Sequence, residues 1–485
     1  MLFNSYIFVL LFLPLTILGY FLLNKISYEI GKIWLLGMSL WFYAYFNVNY
    51  LSIIVISICV NYAMNKLIIA SAAKTIRKLW LTIALVANVG ILFYFKYYDF
   101  FIENINVMFK TDFIMHHLIL PLGISFFTFQ QLSYIIDSYR GEVPDYAFLD
   151  YALFVSYFPQ LIAGPIVMHS EMVPQFADAS KKRINYENLS KGIMAFSIGL
   201  AKKVLLADTF GRVVNWGYNN VEALDTTNAL LIMLFYTFQI YLDFSGYCDM
   251  ATGIGLMFNI SLPMNFNSPY RALTIVDFWK RWHMTLTRFF MKYVYITLGG
   301  NRAGKIRTYL NILIVFLVSG LWHGANWTFV LWGTIHGIFS LITRLFNKVF
   351  DSIHPAINWL ITFGFVNLTW IYFRADSIDQ ANKIIQSVFD LKFGGINELL
   401  IIEFYRIAEF MAINSLTVYG ILSFPNSYVL LLVSFSLCMV LFTKNTNERI
   451  AVFKPTTLNS CATIVLIVWS IISFSGVSTF LYFNF

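Results

Sequence analysis

Charge is what this sequence has least of. Asp, Glu, Lys and Arg together make up 12% of 485 residues, against about a quarter in an ordinary soluble domain. So few charges cannot clothe a chain of this length in water, which excludes a string of soluble domains. Cysteine is scarce too. Cys59, Cys248, Cys438 and Cys461 lie in or beside apolar runs with no C-x-x-C spacing. They read as small buried hydrophobes, not as a disulfide frame or a thiolate metal site. No histidine pattern of the H-E-x-x-H kind is present, so metal catalysis is not expected. The glycines of Leu242–Gly255 do not follow G-x-G-x-x-G and no strand precedes them, which argues against a dinucleotide site and for close helix packing. No internal repeat is visible, which counts against an inverted-repeat transporter.

What fills the space is apolar. The hydrophobic fraction is 59% and the mean hydropathy is +0.69. Many runs reach the roughly 18 to 20 residues that a helix needs to cross a bilayer. The expected class is an all-α, polytopic integral membrane protein of roughly eleven to thirteen membrane helices, with interfacial and re-entrant helices besides. One domain spanning 1–485 is expected, with a core at 118–375 and peripheral helices in 1–100 and 400–485.

The net charge of +8 does not indicate nucleic acid, because the basic residues sit in short loops between apolar runs, as cytoplasmic loops do. Met1 to Leu23 lacks a basic n-region and an A-x-A-like cleavage site, so it is read as an uncleaved first span. A second span covers Ile33 to Phe46, a third ends at Lys66, and a fourth runs from Leu79 to an interfacial edge at Lys96-Tyr-Tyr-Asp99. Lys25 and Lys32 follow the first span, and Lys74, Arg77 and Lys78 the third. That alternation places the amino terminus outside the cytoplasm. His116 and His117 are adjacent, hence unable to form an i, i+4 metal pair, and read as a solvated loop. Later spans are expected near Ile357 to Phe373, Tyr428 to Phe442 and from Cys461.

Two apolar segments carry too many polar groups to face lipid. Leu120 to Gly141 holds Ser125, Thr128, Gln130, Gln131, Ser133 and Asp137, as suits a helix packed on others or lining a passage. Tyr157 to Ile166 is interrupted by Pro159, Gly164 and Pro165, a break tolerated only inside protein or beside a water-filled cavity.

The chain is organised around Tyr270 to Gly337. It opens with Asp277-Phe-Trp-Lys-Arg-Trp-His-Met-Thr-Leu-Thr-Arg288, within a stretch from Arg271 to Arg307 where eight basic residues face one acid, Asp277. Such a region belongs in amphipathic helices at the cytoplasmic interface, with Trp279, Trp282 and Phe289 reaching inward. His323 follows in Ser319-Gly-Leu-Trp-His-Gly-Ala-Asn326, and His336 in Trp332-Gly-Thr-Ile-His-Gly337. A neutral imidazole at membrane depth can take a proton from a hydroxyl or thiol. The bland alternative for His323 is a hydrogen bond between two helices; Gly320, Gly324 and Ala325 leave room around the ring and favour chemistry.

His283, four residues after Trp279 and on the same helical face, is expected to orient substrate or pass the proton, or else to snorkel at the interface. His336 reads as structural. Lys280, Arg281 and Arg288 attract a phosphorylated donor or anchor to anionic lipid. Asp243 and Asp249 pair with basic groups or line the passage, and Trp322 and Asn326 flank the reaction centre.

These blocks closely resemble the membrane-bound O-acyltransferase (MBOAT) family, in its bacterial branch of alginate- and peptidoglycan-acetylating members. The resemblance covers nearly the whole chain. It rests on Leu120-Pro-Leu-Gly-Ile-Ser-Phe-Phe-Thr-Phe-Gln130, Ile136-Asp-Ser-Tyr-Arg-Gly141, Phe158-Pro-Gln-Leu-Ile-Ala-Gly-Pro165 and Leu242-Asp-Phe-Ser-Gly-Tyr-Cys-Asp-Met250. It rests equally on Asp277 to Leu286, Gly320-Leu-Trp-His-Gly324, Trp370-Ile-Tyr-Phe-Arg-Ala375 and Phe480-Leu-Tyr-Phe-Asn-Phe485. The resemblance implies helices ringing a central funnel, His323 as the catalytic histidine and His283 as the second essential polar residue. It implies no bound cofactor, with acetyl-CoA or another acyl thioester as cytoplasmic donor and a polysaccharide as extracytoplasmic acceptor. Because the chain ends without a hydrolase-like domain, a separate SGNH-type acetyltransferase is the expected partner. D-alanyl transfer to teichoic acid is the close alternative; a flippase for a lipid-linked glycan, or a scaffold, is a more distant one.

Overall fold

The computed structural model describes residues 1–405, 427–474 and 479–481. Their regular structure is all helix, with no strand among the described residues. Six helices are long and apolar enough to cross a membrane: Val48–Ala70, Lys74–Phe109, Thr226–Met257, Lys305–His323, Trp327–Leu345 and Pro355–Arg374. Shorter apolar helices occupy Phe8–Leu23, Val429–Phe442 and Thr457–Ile472. Ile124–Arg140, Phe148–Ser156 and Phe158–Leu161 are shorter and buried in protein, as the polar groups of Leu120 to Gly141 and the breaks in Tyr157 to Ile166 lead one to expect.

Thr226–Met257 is the axle. Asp225 caps its start, its carboxylate accepting the Asn228 N–H at 2.9 Å. Its most apolar window is 89% buried, so it meets other helices and hardly any lipid. The Tyr186–Ala201 helix runs antiparallel to it at backbone contact. A Cβ on Gly199 would stand 2.5 Å from the Gly246 carbonyl oxygen, and one on Gly192 2.6 Å from that of Gly253. The seven-residue spacing is the same on both helices, so the two glycine pairs lock one register. Without a hydrophobic drive between helices in lipid, such close approach is a main source of association.

Just past this seam lie two ion pairs. Lys202 donates to Asp249 at 2.7 Å and Lys203 to Asp243 at 2.6 Å. Both lysines stand in a π turn, Lys202–Ala207, where the helix carries an extra residue. The other end of the same aspartate is also met: Asp243 accepts the Leu481 N–H at 2.9 Å, while Lys203 donates to the Thr479 carbonyl at 3.1 Å. Removing either partner would strand a buried charge.

A second close pair sets the centre of the molecule. Lys305–His323 and Trp327–Leu345 form a hairpin in which a Cβ on Gly320 would meet the Phe329 carbonyl at 2.4 Å, and one on Gly333 the Phe316 carbonyl at 2.4 Å. Gly324 adopts an extended conformation that stops the first helix, and Asn326 caps the second by accepting the Thr328 N–H at 3.0 Å.

The helix of the fourth span does not stop at Lys96-Tyr-Tyr-Asp99; it continues through a π turn at Phe93–Tyr97 and on to Phe109, so Lys96 lies inside a long helix.

The glycine seam yields a test. Gly199→Ala and Gly253→Ala should each lower stability by about 1–3 kcal/mol through overpacking, read as a lower melting temperature in detergent. Gly37→Ala, whose added Cβ would meet nothing within 4 Å, should leave it unchanged.

Candidate active site

His323 is the last residue of its helix and 3% exposed. Its ring is boxed by indole and phenyl rings at near right angles. Trp322 lies 4.8 Å away, Trp332 5.2 Å and Phe373 5.0 Å, the last two from the following helix and from Pro355–Arg374. Edge-to-face packing of this kind fixes the plane of a flat ring.

His283 is 1% exposed and stands elsewhere than its spacing suggested. The helix through Trp279 stops at Arg281, Trp282 is extended, and His283 has φ 44° in the left-handed region before a new helix begins at Met284. Trp279 and His283 thus do not share a helical face. A left-handed non-glycine residue is uncommon and costs local strain. Here it turns the imidazole into the core, against Phe244 at 4.8 Å and Trp322 at 6.0 Å. Trp322 thereby packs against both imidazoles.

The tautomer of His283 follows from its neighbour Asn265, 2% exposed. Asn265 Oδ1 accepts the backbone N–H of Thr285 at 3.3 Å and the Thr285 hydroxyl at 2.9 Å, which identifies that atom as the oxygen. It lies 3.0 Å from His283 Nδ1. An oxygen can only accept, so Nδ1 carries the proton and Nε2 is the basic nitrogen. His283 lies outside the spanning helices, and burial pushes its pKa down to about 3, so the ring is neutral at physiological pH.

The remaining candidates separate by their contacts. His336 has both ring nitrogens engaged, Nδ1 with the Trp279 indole N–H at 3.3 Å and Nε2 with the Thr369 hydroxyl at 2.9 Å. Asp243 and Asp249 face Lys203 and Lys202, not the interfacial basic run. Arg281 pairs with Asp277 at 2.9 Å and Arg288 forms a fork on Glu171, while Lys280 is exposed. Two of the three cations suited to a phosphorylated donor are thus already matched by carboxylates. His116 and His117 are exposed, their backbone N–H groups held by Asp99 at 2.7 and 2.8 Å.

A cavity of about 2080 Å³ passes the end of the His323 helix and is bordered there by Gly324, Ala325, Asn326 and Phe373. Asp243 borders it as well. Phe373 touches both the cavity and the His323 ring, so it stands as the partition between them.

Sequence reasoning passed over two residues here. Asn265 gives a weak signal, an asparagine in the apolar run ahead of Asp277. Lys96 gives a stronger one, a lone cation inside an aromatic stretch. Its ammonium donates to the Trp322 carbonyl, and to that of His323 at 3.2 Å.

Two buried imidazoles thus share one indole, and the helix break after one of them opens on a large cavity. The MBOAT, membrane-bound O-acyltransferase, family model matches residues 104–377, a range that holds both histidines, and the chain belongs to that family. It is a multi-pass membrane O-acyltransferase. A peptidoglycan O-acetyltransferase of Helicobacter pylori is 46% identical over 422 residues, 81% of this chain and 80% of its own. A probable alginate O-acetylase, AlgI, of Azotobacter vinelandii is 36% identical over 435 residues, covering 87% and 86%. A teichoic acid D-alanyltransferase of Bacillus subtilis is 28% identical over 268 residues, 52% of this chain and 68% of its own.

Asn265→Ala removes the group that orients His283. It should slow acyl transfer about 10²-fold, the scale of a small misplacement of a reacting group, with the protein still inserted. Transfer rate per inserted molecule checks this.

Proposed function

We propose that this protein O-acetylates a cell-surface or exported polysaccharide, with His323 as the reaction centre. The single observation that carries the assignment of the centre is the placement of a buried imidazole at a helix break beside the large cavity. The high identity to a peptidoglycan O-acetyltransferase supports the acetyl group and a glycan acceptor over D-alanine and teichoic acid.

The step is acyl transfer from a thioester, acetyl-CoA or a similar carrier, presented from the cytoplasm. The acceptor hydroxyl oxygen bonds to the acyl carbon as His323 takes its proton. The carbon–sulfur bond then breaks and the proton returns to the departing thiolate. General-base help of this kind contributes about 10²- to 10⁴-fold; the remainder comes from orientation and from a site closed to water. His283, neutral and with Nε2 basic, positions or polarises the acceptor. The acceptor oxygen belongs to the glycan or to a separate extracytoplasmic SGNH-type acetyltransferase that passes the group on. The protein lies in the bacterial inner membrane with its amino terminus outside, in keeping with Lys25, Lys74, Arg77 and Lys78 after alternate spans.

His323→Ala should abolish base-labile acetate in cell-surface glycan while leaving membrane insertion intact. Glycan acetylation near the wild-type level in that variant would refute the assignment.

A further inference from the structure

Four lysines that reach into this protein are each met by a carboxylate. Lys32 meets Asp150 at 2.8 Å, Lys202 meets Asp249 at 2.7 Å, Lys203 meets Asp243 at 2.6 Å and Lys292 meets Asp137 at 2.9 Å. Each cation has its own anion, as low-dielectric surroundings demand. Lys96 has none: among the described residues no carboxylate lies within 4.0 Å of its ammonium. The nearest acid in sequence, Asp99, directs its two oxygens to the backbone N–H groups of His116 and His117.

What Lys96 does meet is the end of the His323 helix. It donates to the carbonyls of Trp322 and His323, and Tyr97 beside it donates to that of Leu321 at 2.9 Å. The π turn Phe93–Tyr97 delivers both side chains, and such turns recur at functional sites. An ammonium has three donors, and these two carbonyls occupy two of them. Lys96 also borders the large cavity. A cation is therefore held at the reaction centre, facing the space where substrate must lie, with one donor left over and no fixed counter-charge.

We propose that Lys96 is a catalytic residue of the transfer at His323, its ammonium holding the negative charge that develops on the acyl carbonyl oxygen. As the acceptor oxygen bonds to the acyl carbon, the carbonyl π pair moves onto oxygen and Lys96 donates to it. When that pair returns, the carbon–sulfur bond breaks, sulfur leaves with its electrons, and the proton held by His323 passes to it. The missing carboxylate is what makes this work, since a permanent anion beside the ammonium would cancel the field where charge appears. The role rests on His323 being the reaction centre, and the experiment separates the two.

Lys96→Gln keeps a neutral donor for the helix-end carbonyls and loses the charge; Lys96→Met loses both; Lys96→Arg keeps both. Tyr97→Phe removes a neutral donor from the same helix end. Cells carrying each full-length variant are pulsed with labelled acetate, and base-labile label in surface glycan is followed per molecule of inserted protein, so that a variant of reduced abundance still reads out. The expected result is a fall of about 10²-fold or more for both Lys96→Gln and Lys96→Met, as for loss of an oxyanion donor. Lys96→Arg should stay within about tenfold of wild type and Tyr97→Phe close to it. A wild-type rate in Lys96→Gln, or a loss in Tyr97→Phe equal to that in Lys96→Gln, reduces Lys96 to a helix cap and overturns the proposal. His323→Ala inactive with Lys96→Gln normal overturns the lysine alone. His323→Ala active overturns the centre on which both depend.

Discussion

Hydrocarbon offers no partner to an N–H, a C=O or a charge, and that single deficit governs this structure. A polar atom inside the bilayer must be met by the protein, so each departure from a regular helix has to bring its own donors and acceptors. The fold shows how. Where the Lys305–His323 helix stops, its last carbonyls are met by Lys96 and Tyr97 from another helix. Where Trp327–Leu345 begins, Asn326 caps it from its own side chain and ties back to the Asp376 carbonyl at 2.9 Å. A helix break in lipid is expensive; one furnished in this way becomes a place to put a reactive group.

The same deficit explains the glycines. Helices that gain nothing by hiding apolar surface from water must associate through close contact, and the paired glycines of Tyr186–Ala201 and Thr226–Met257 bring backbones to the limit. That tight seam fixes the frame against which Lys202 and Lys203 find their aspartates. Packing and charge thus reinforce one register, and sliding either helix by one residue would both clash and strand ions.

Much of this was legible in the residues. Apolar runs of bilayer length reveal a helical membrane protein, because a span must be both long and greasy. The polar side chains of Ile124–Arg140 marked it as a helix packed inside protein, and it is buried there. The true setting of His283 was not legible. The spacing from Trp279 assumes an unbroken helix, and the left-handed turn at His283 depends on Asn265, eighteen residues upstream, meeting both His283 and Thr285. The place of Lys96 was hidden for a related reason: only tertiary contact shows its ammonium at the end of the Lys305–His323 helix.

The two histidines come from different helical elements, and one indole packs against both. It belongs to Trp322, edge-on to His323 at 4.8 Å and to His283 at 6.0 Å, and stacked on Phe129 at 5.4 Å. An aromatic is the right material for this. It is rigid about two torsions, fills a large volume and brings little polar surface that a dry site would have to satisfy. The aromatic share of 19% is then more than bilayer decoration: around this site it holds two imidazoles in a fixed relation.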